Sequence, residues 1–142
     1  MFNLFVETEI IFFPDKSIID IVADSIEFNS IFNQYIAEIR DIKVQGDMLR
    51  FRRNLERIGA LMAYEISKDL AFKEEDIQTP LGIAKVPILK SNIVLATILR
   101  AGVPFHQGML NIFDKAESAF ISAYRKHNKD GSFKIKLEYM AK

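Results

Sequence analysis

Cysteine is absent from this chain. Disulfides, thiolate metal sites and thiol nucleophiles are thereby excluded, and a reducing cytoplasm is the expected setting. Net charge is absent as well, since 19 Lys and Arg balance 19 Asp and Glu. A nucleic-acid surface needs a basic excess to displace counterions, so that partner is not expected, while a small local anion site stays compatible. No apolar run approaches the roughly 18 residues of a membrane helix, so no membrane partner is expected either. The apolar start MFNLFVETEIIFFP is interrupted by Glu7 and Glu9 and has no basic segment ahead of it, which argues against a signal peptide. Only two histidines occur, His106 and His127, and neither falls in a metal-ligand or HExxH pattern. The elbow GxSxG and the loop GxxxxGK(S/T) are also missing.

What remains is a composition of 49% hydrophobic and 27% charged residues over 142 positions, enough for one folded domain with a real core. Residues 1–13 read as a short strand or apolar arm ended by Pro14 and Asp15, and SIIDIVADSIEF fits either helix or strand. From Asn29 the spacing turns helical, with Ile31, Tyr35 and Ile39 on one face and Asn29 or Ser30 as the N-cap. VQGD breaks that pattern. Asp47 then caps a longer helix to about Asp69, with the stripe Phe51, Leu55, Ile58, Met62, Ile66 and Leu61 beside it. Gly59 inside this helix costs about 1 kcal/mol against alanine, which implies close packing on a neighbour. Arg50, Arg52, Arg53 and Arg57 on the same helix read as a solvated face with acidic partners such as Glu56.

The period next becomes two. DIQTPLGIAKV reads as a hairpin turning at Thr79–Gly82, with Glu74, Glu75 and Asp76 as a solvated turn leading into it. Residues 92–99, NIVLATIL, are apolar nearly throughout, as suits a central strand covered on both faces. PFHQGMLNIF reads as the helix that follows, with Pro104 in its first turn. SAFISAYR, HNKDG and FKIKLEYM then read as strand, turn and strand. A strand–helix–strand crossover implies an α/β sheet, in which ligands bind outside the carboxyl ends of the strands.

Two arginines fall at those ends, Arg100 after NIVLATIL and Arg125 after AFISAY. A pair of guanidinium forks on one rim suits a phosphate or pyrophosphate, because each donates two parallel hydrogen bonds and stays charged. Gly102, with Ala101 before it, would let backbone N–H groups approach the same anion. The plainer alternative, in which each arginine simply ends its strand at the surface, weighs equally for the pair. His106 follows the RAG loop and is a further candidate for ligand contact, whereas His127 reads as a solvated turn residue.

The segments RRNLERIGALMAYEISKDL, IQTPLGIAKV, ATILRAGVPFHQGML and AFISAYRKH, in that order, resemble the uracil phosphoribosyltransferase family, most of all its Bacteroidetes-type members. The resemblance covers about residues 29–142 and implies a type I phosphoribosyltransferase-like (Rossmann-like) α/β fold, with a parallel sheet, N-terminal helices and a β-hairpin. It divides the chain into an unassigned N-terminal extension, 1–28, and an N-terminal portion of the transferase domain, 29–142. The implied activity joins uracil to phosphoribosyl pyrophosphate, giving UMP and pyrophosphate, with Mg²⁺ accompanying the pyrophosphate and no protein ligand to the metal identified. Arg100 and Arg125 are implied to bind phosphoribosyl pyrophosphate, and homo-oligomers are common in the family. Members continue into a loop of the type DPMLATGGS that cradles the ribose 5-phosphate; none of Thr8, Thr79 and Thr97 is followed by glycine, and the sequence ends at Lys142. The expectation is therefore a chain that lacks the C-terminal half of the fold and has negligible activity by itself, the alternative being a non-catalytic subunit or ligand sensor of the same fold.

Overall fold

The structure, a computed structural model, describes residues 3–6, 9–10, 29–90, 92–127 and 133–141, with side-chain detail over 29–90 and 92–122. SIIDIVADSIEF and most of the HNKDG turn lie outside the described residues.

Two helices open the well-described part. The first, α1 (Ile31–Arg40), has Ser30 at its N-cap without a side-chain cap bond, and it buries Phe32 with Tyr35, Ile36 and Ile39 packed alongside. Tyr35 and Ile39 of the expected face do pack on the core, but Ile31 is half exposed and Phe32 is buried in its place. Helix α2 (Met48–Ser67) begins where Asp47 accepts hydrogen bonds from Leu49 N–H at 3.1 Å and Arg50 N–H at 3.0 Å. Those bonds satisfy two of the orphan donors of the first turn. Ile58, Met62 and Ile66 of its stripe are buried, while Phe51 and Leu55 are only half-buried.

Asn54 is buried completely, one position off that stripe. Its Nδ2 donates to Glu38 Oε2 at 2.7 Å and its Oδ1 accepts from Arg57 Nη1 at 3.0 Å, so the amide fastens α1 to α2 at little desolvation cost. Asn54 and Gln34 together hold the Glu38 carboxyl below its ordinary pKa, with Arg50 adding to the effect. The basic face of α2 is occupied locally. Arg50 pairs with Glu38 at 3.2 Å, Arg53 pairs with Glu56 at 2.8 Å, Arg52 donates to Met48 O, and Arg57 lies over the Tyr35 ring.

Strands β3 (Phe72–Thr79) and β4 (Gly82–Leu89) form a separate two-stranded antiparallel sheet. Glu74, Glu75 and Asp76 belong to β3, not to a turn before it; the ladder to Pro87, Val86 and Lys85 holds them extended. Both strands are edges, which is why Pro87 is tolerated despite having no N–H to donate.

The main sheet has the order β2–β1–β5–β6–β7, with β1 (Asn3–Val6), β2 (Glu9–Ile10), β5 (Ile93–Leu99), β6 (Glu117–His127) and β7 (Phe133–Ala141). Strand β5 is central, antiparallel to β1 and parallel to β6, and Ile93 through Thr97 are all buried. The expected parallel neighbours are this β5–β6 pair; β1 and β7 run antiparallel to the strands beside them. His127 closes β6 opposite Phe133, so it sits in a strand end and not in the polar turn assigned to it.

The crossover from β5 to β6 carries α3 (Val103–Leu110), with Pro104 in its first turn. Helix α3 crosses α2 at very short range. A Cβ on Gly59 would meet the Phe105 carbonyl, and a Cβ on Gly108 would meet the Glu56 carbonyl, so each helix offers a glycine to the other's backbone. The core forms there, from Phe32, Ile58, Met62, Ala63, Ile66, Ile93, Leu95, Phe105, Met109 and Phe113.

Candidate functional site

Buried β5 ends abruptly. Thr97 is fully buried, Ile98 and Leu99 emerge, and Arg100 is exposed. The Leu99–Arg100 peptide is cis. A tight turn follows, in which Gly102 N–H donates to Ile98 O and Val103 N–H to Arg100 O, both at 3.3 Å, before His106 N–H reaches Gly102 O at 2.9 Å. Gly102 is therefore the N-cap of α3 with right-handed helical backbone angles. Its N–H is already engaged; Ala101 N–H makes no backbone hydrogen bond among the described residues. What Gly102 contributes to an approaching group is the absence of a side chain.

Arg100 makes no ion pair or side-chain hydrogen bond among the described residues, in contrast to the four arginines of α2. Strand register places Arg125 on the same edge of the sheet. Leu99 pairs with Ser122 in the parallel ladder, and Arg125 follows three residues later, about 10 Å further along the strand. A register shift between Ser122 and Ala123 in the β6–β7 ladder lies between these points. The backbone thus brings both arginines to the carboxyl ends of two parallel neighbours, where open α/β sheets bind ligands.

His106 does not face outward. It is 4% exposed, its Nε2 lies 3.0 Å from Ser118 Oγ of β6, and its ring is tilted against Phe120 at 5.2 Å. Burial pushes its pKa below the ordinary 6.5, so the ring is neutral at pH 7. As a candidate for ligand contact, His106 is instead turned to a strand. Ser118 carried no sequence signal of its own, because its partner lies 12 positions away on another element. Thr97 Oγ1, also buried, has no hydrogen-bond partner among the described residues. Among the described residues no group of three or more His, Asp or Glu is placed to hold a metal ion, and no helix is long and apolar enough to cross a membrane.

A helix-connected parallel pair with basic residues at its carboxyl rim defines an α/β protein. The solved AQ2163 protein from Aquifex aeolicus shares this fold, with a TM-score of 0.62 at 22% identity over 80% of this chain and 52% of that one. The sequence profile of the uracil phosphoribosyltransferase family matches residues 29–140. The uracil phosphoribosyltransferase of Porphyromonas gingivalis is 51% identical over 113 residues, 80% of this chain and 52% of that protein. That of Methanococcus maripaludis is 35% identical over 118 residues, 82% of this chain and 49% of that protein. The chain belongs to the uracil phosphoribosyltransferase family, and it spans about half the length of the curated relatives it matches.

Proposed function

We propose that this chain serves the transfer of phosphoribose from phosphoribosyl pyrophosphate to uracil, giving UMP and pyrophosphate, and that Arg100 and Arg125 hold the pyrophosphate end of the donor. The observation that carries this reading is Arg100, an exposed guanidinium with no ion pair among the described residues, set at the carboxyl end of the central strand in a family member. A guanidinium there has a chemical use. When the bond from the anomeric carbon to the pyrophosphate breaks, positive charge develops on the ribose ring and negative charge gathers on the leaving oxygens. A fixed cation beside those oxygens gains more in the transition state than in the ground state. Ala101 N–H and the bare Cα of Gly102 leave room for one of the same oxygens to approach the backbone. Mg²⁺ enters this reading as part of the substrate, travelling with the pyrophosphate. The described residues supply no cluster to hold it, so no step is assigned to a protein-bound metal. A cytoplasmic setting and association into homo-oligomers belong to the same reading.

The test is calorimetric titration of the magnesium complex of phosphoribosyl pyrophosphate into the chain, its Arg100→Ala and Arg125→Ala variants, and Arg100→Lys. Each alanine is expected to weaken binding by about tenfold or more, the size of a lost hydrogen bond to a charged group. Lysine at position 100 restores the charge without the fork and is expected to recover only part of the loss. Unchanged affinity in Arg100→Ala would sink the assignment. UMP formation measured alongside is expected to be negligible for this chain alone, so binding is the readout that decides, and detectable UMP synthesis would overturn that expectation.

A further inference from the structure

The first turn of α3 is gripped from two sides. Toward α2, the Phe105 carbonyl rests against Gly59 so closely that no side chain fits between them. Toward the sheet, His106 spans to Ser118 of β6 at 3.0 Å with its ring on Phe120. The same residue's backbone N–H holds Gly102 O at 2.9 Å, at the end of the turn that presents Arg100. One residue therefore fastens the arginine turn through its main chain and, through its side chain, the strand that carries Arg125 seven positions beyond Ser118.

The residue type is itself informative. His106 is 4% exposed with its ring on Phe120, and a phenylalanine would fill that place without the cost of burying ring nitrogens. An imidazole earns its place there only by hydrogen bonding, and its partner, Ser118, lies on the neighbouring element. Ser118 pairs with Leu95 in the parallel ladder, so the bond ties the helix to β6 at a defined level along the β5–β6 pair.

We propose that His106 is a positioning residue, which sets the arginine turn after β5 against the β6 strand through its bond to Ser118. It touches no reacting atom in this assignment. It fixes the height at which the Arg100 turn meets the strand edge bearing Arg125, and so the spacing of the two cations. In its effect on the turn the proposal stands on geometry alone; in its effect on pyrophosphate it rests on the transferase reading.

Amide hydrogen exchange on the chain tests the first effect without any ligand. His106→Phe keeps the ring and loses the bond, Ser118→Ala removes the partner with little change in volume, and His106→Gln restores a hydrogen-bonding group. Exchange at the Gly102 and Val103 amides is expected to rise about tenfold in the first two variants, relative to the α2 amides of Ile58 to Met62, and to return toward wild type with Gln. The double variant is expected to be no worse than either single. A lowered melting temperature with unchanged relative exchange in the turn, in Ser118→Ala as well as His106→Phe, would mean that His106 only fills the core, and the proposal would fall. Titration with magnesium pyrophosphate provides the second readout, with affinity expected to drop severalfold in both variants. A wild-type chain that fails to bind pyrophosphate removes the support for the transferase reading, while the exchange result still decides the role of His106. Wild-type binding with equal affinity in both variants would overturn its bearing on the site.

Discussion

Helix α2 buries Ile58, Met62, Ala63 and Ile66, whereas the β3–β4 hairpin leaves Phe72, Ile77, Leu81, Ile83 and Ile88 in solvent. Both segments carry a regular apolar pattern, at helical spacing in one and near period two in the other. Their fates differ because α2 has a partner on each side, α1 and α3, while among the described residues the hairpin packs on the core only at its base, where Leu89 joins the cluster. Lys90 N–H closes that base on Ala71 O at 2.9 Å. The far end is held by polar contacts of its own: the Thr79 hydroxyl donates to Gly82 O at 2.6 Å and accepts from Leu81 N–H at 3.3 Å. Periodicity therefore fixes the type of element but not its surroundings. In the helical unit stability resides in shape and burial, and in the hairpin it resides in backbone conformation.

The largest expected effect comes from breaking the shape of the helical unit. In an exposed helix, Gly→Ala gains about 1 kcal/mol. At Gly108 the new methyl would enter the Glu56 carbonyl, with Ala60 N at 3.0 Å, and neither atom is the end of a flexible side chain. Gly108→Ala is expected to destabilise the chain by about 3 kcal/mol through separation of α2 from α3, read from thermal or denaturant unfolding. A stabilised Gly108→Ala would show that the two helices do not cross this closely.

A smaller effect distinguishes the units by pH. The neutral state of buried His106 is favoured in the folded chain, and its folded pKa lies below the 6.5 of the free residue. The unfolded chain thus binds the proton more readily, and stability rises with pH wherever it does. The contribution is complete above about pH 6.5 and is lost as pH falls from there through the folded value. Melting temperatures between pH 7.5 and 5 are expected to decline in the wild type and to decline less in His106→Gln. Equal slopes would place the titration elsewhere. Glu38 acts in the same direction but in a lower window, below its ordinary 4.5.

How much of this was legible in the sequence follows from the distance between partners. The Asp47 cap, the lower half of the α2 stripe and the course of NIVLATIL as a central strand rest on neighbours a few residues apart or on burial of both faces, and all are present. The close approach at Gly59 was legible from the cost of a glycine inside a helix, though its partner Phe105 was not. The burial of Asn54 was not legible, because Glu38, which satisfies it, lies 16 residues away on another helix. The burial of Phe32 in place of Ile31 was hidden for the same reason, since both are apolar and only the neighbouring helix decides between them. At the rim, the sudden appearance of Arg100 and glycine after an apolar strand marked the turn correctly. The inward aim of His106 could not be read, because its bond to Ser118 depends on the parallel register of β6.

The smallest effects lie in the hairpin, and they test whether backbone conformation governs there. Gly82 has φ of +133° and nothing within 4 Å of the position a Cβ would take. Any penalty for Gly82→Ala is therefore conformational, and roughly 1–2 kcal/mol is expected, since side chains disfavour positive φ. Ile83, next to it and 70% exposed, is expected to accept alanine within about 0.5 kcal/mol despite losing far more apolar volume. Both are best read as exchange of the β3–β4 ladder amides, with the melting temperature of the helical unit as the reference. A cost for Ile83→Ala that exceeds that for Gly82→Ala would reverse the comparison. The exposed hairpin face would then have to be covered in solution, and its stability would obey the same rule of burial that governs α2.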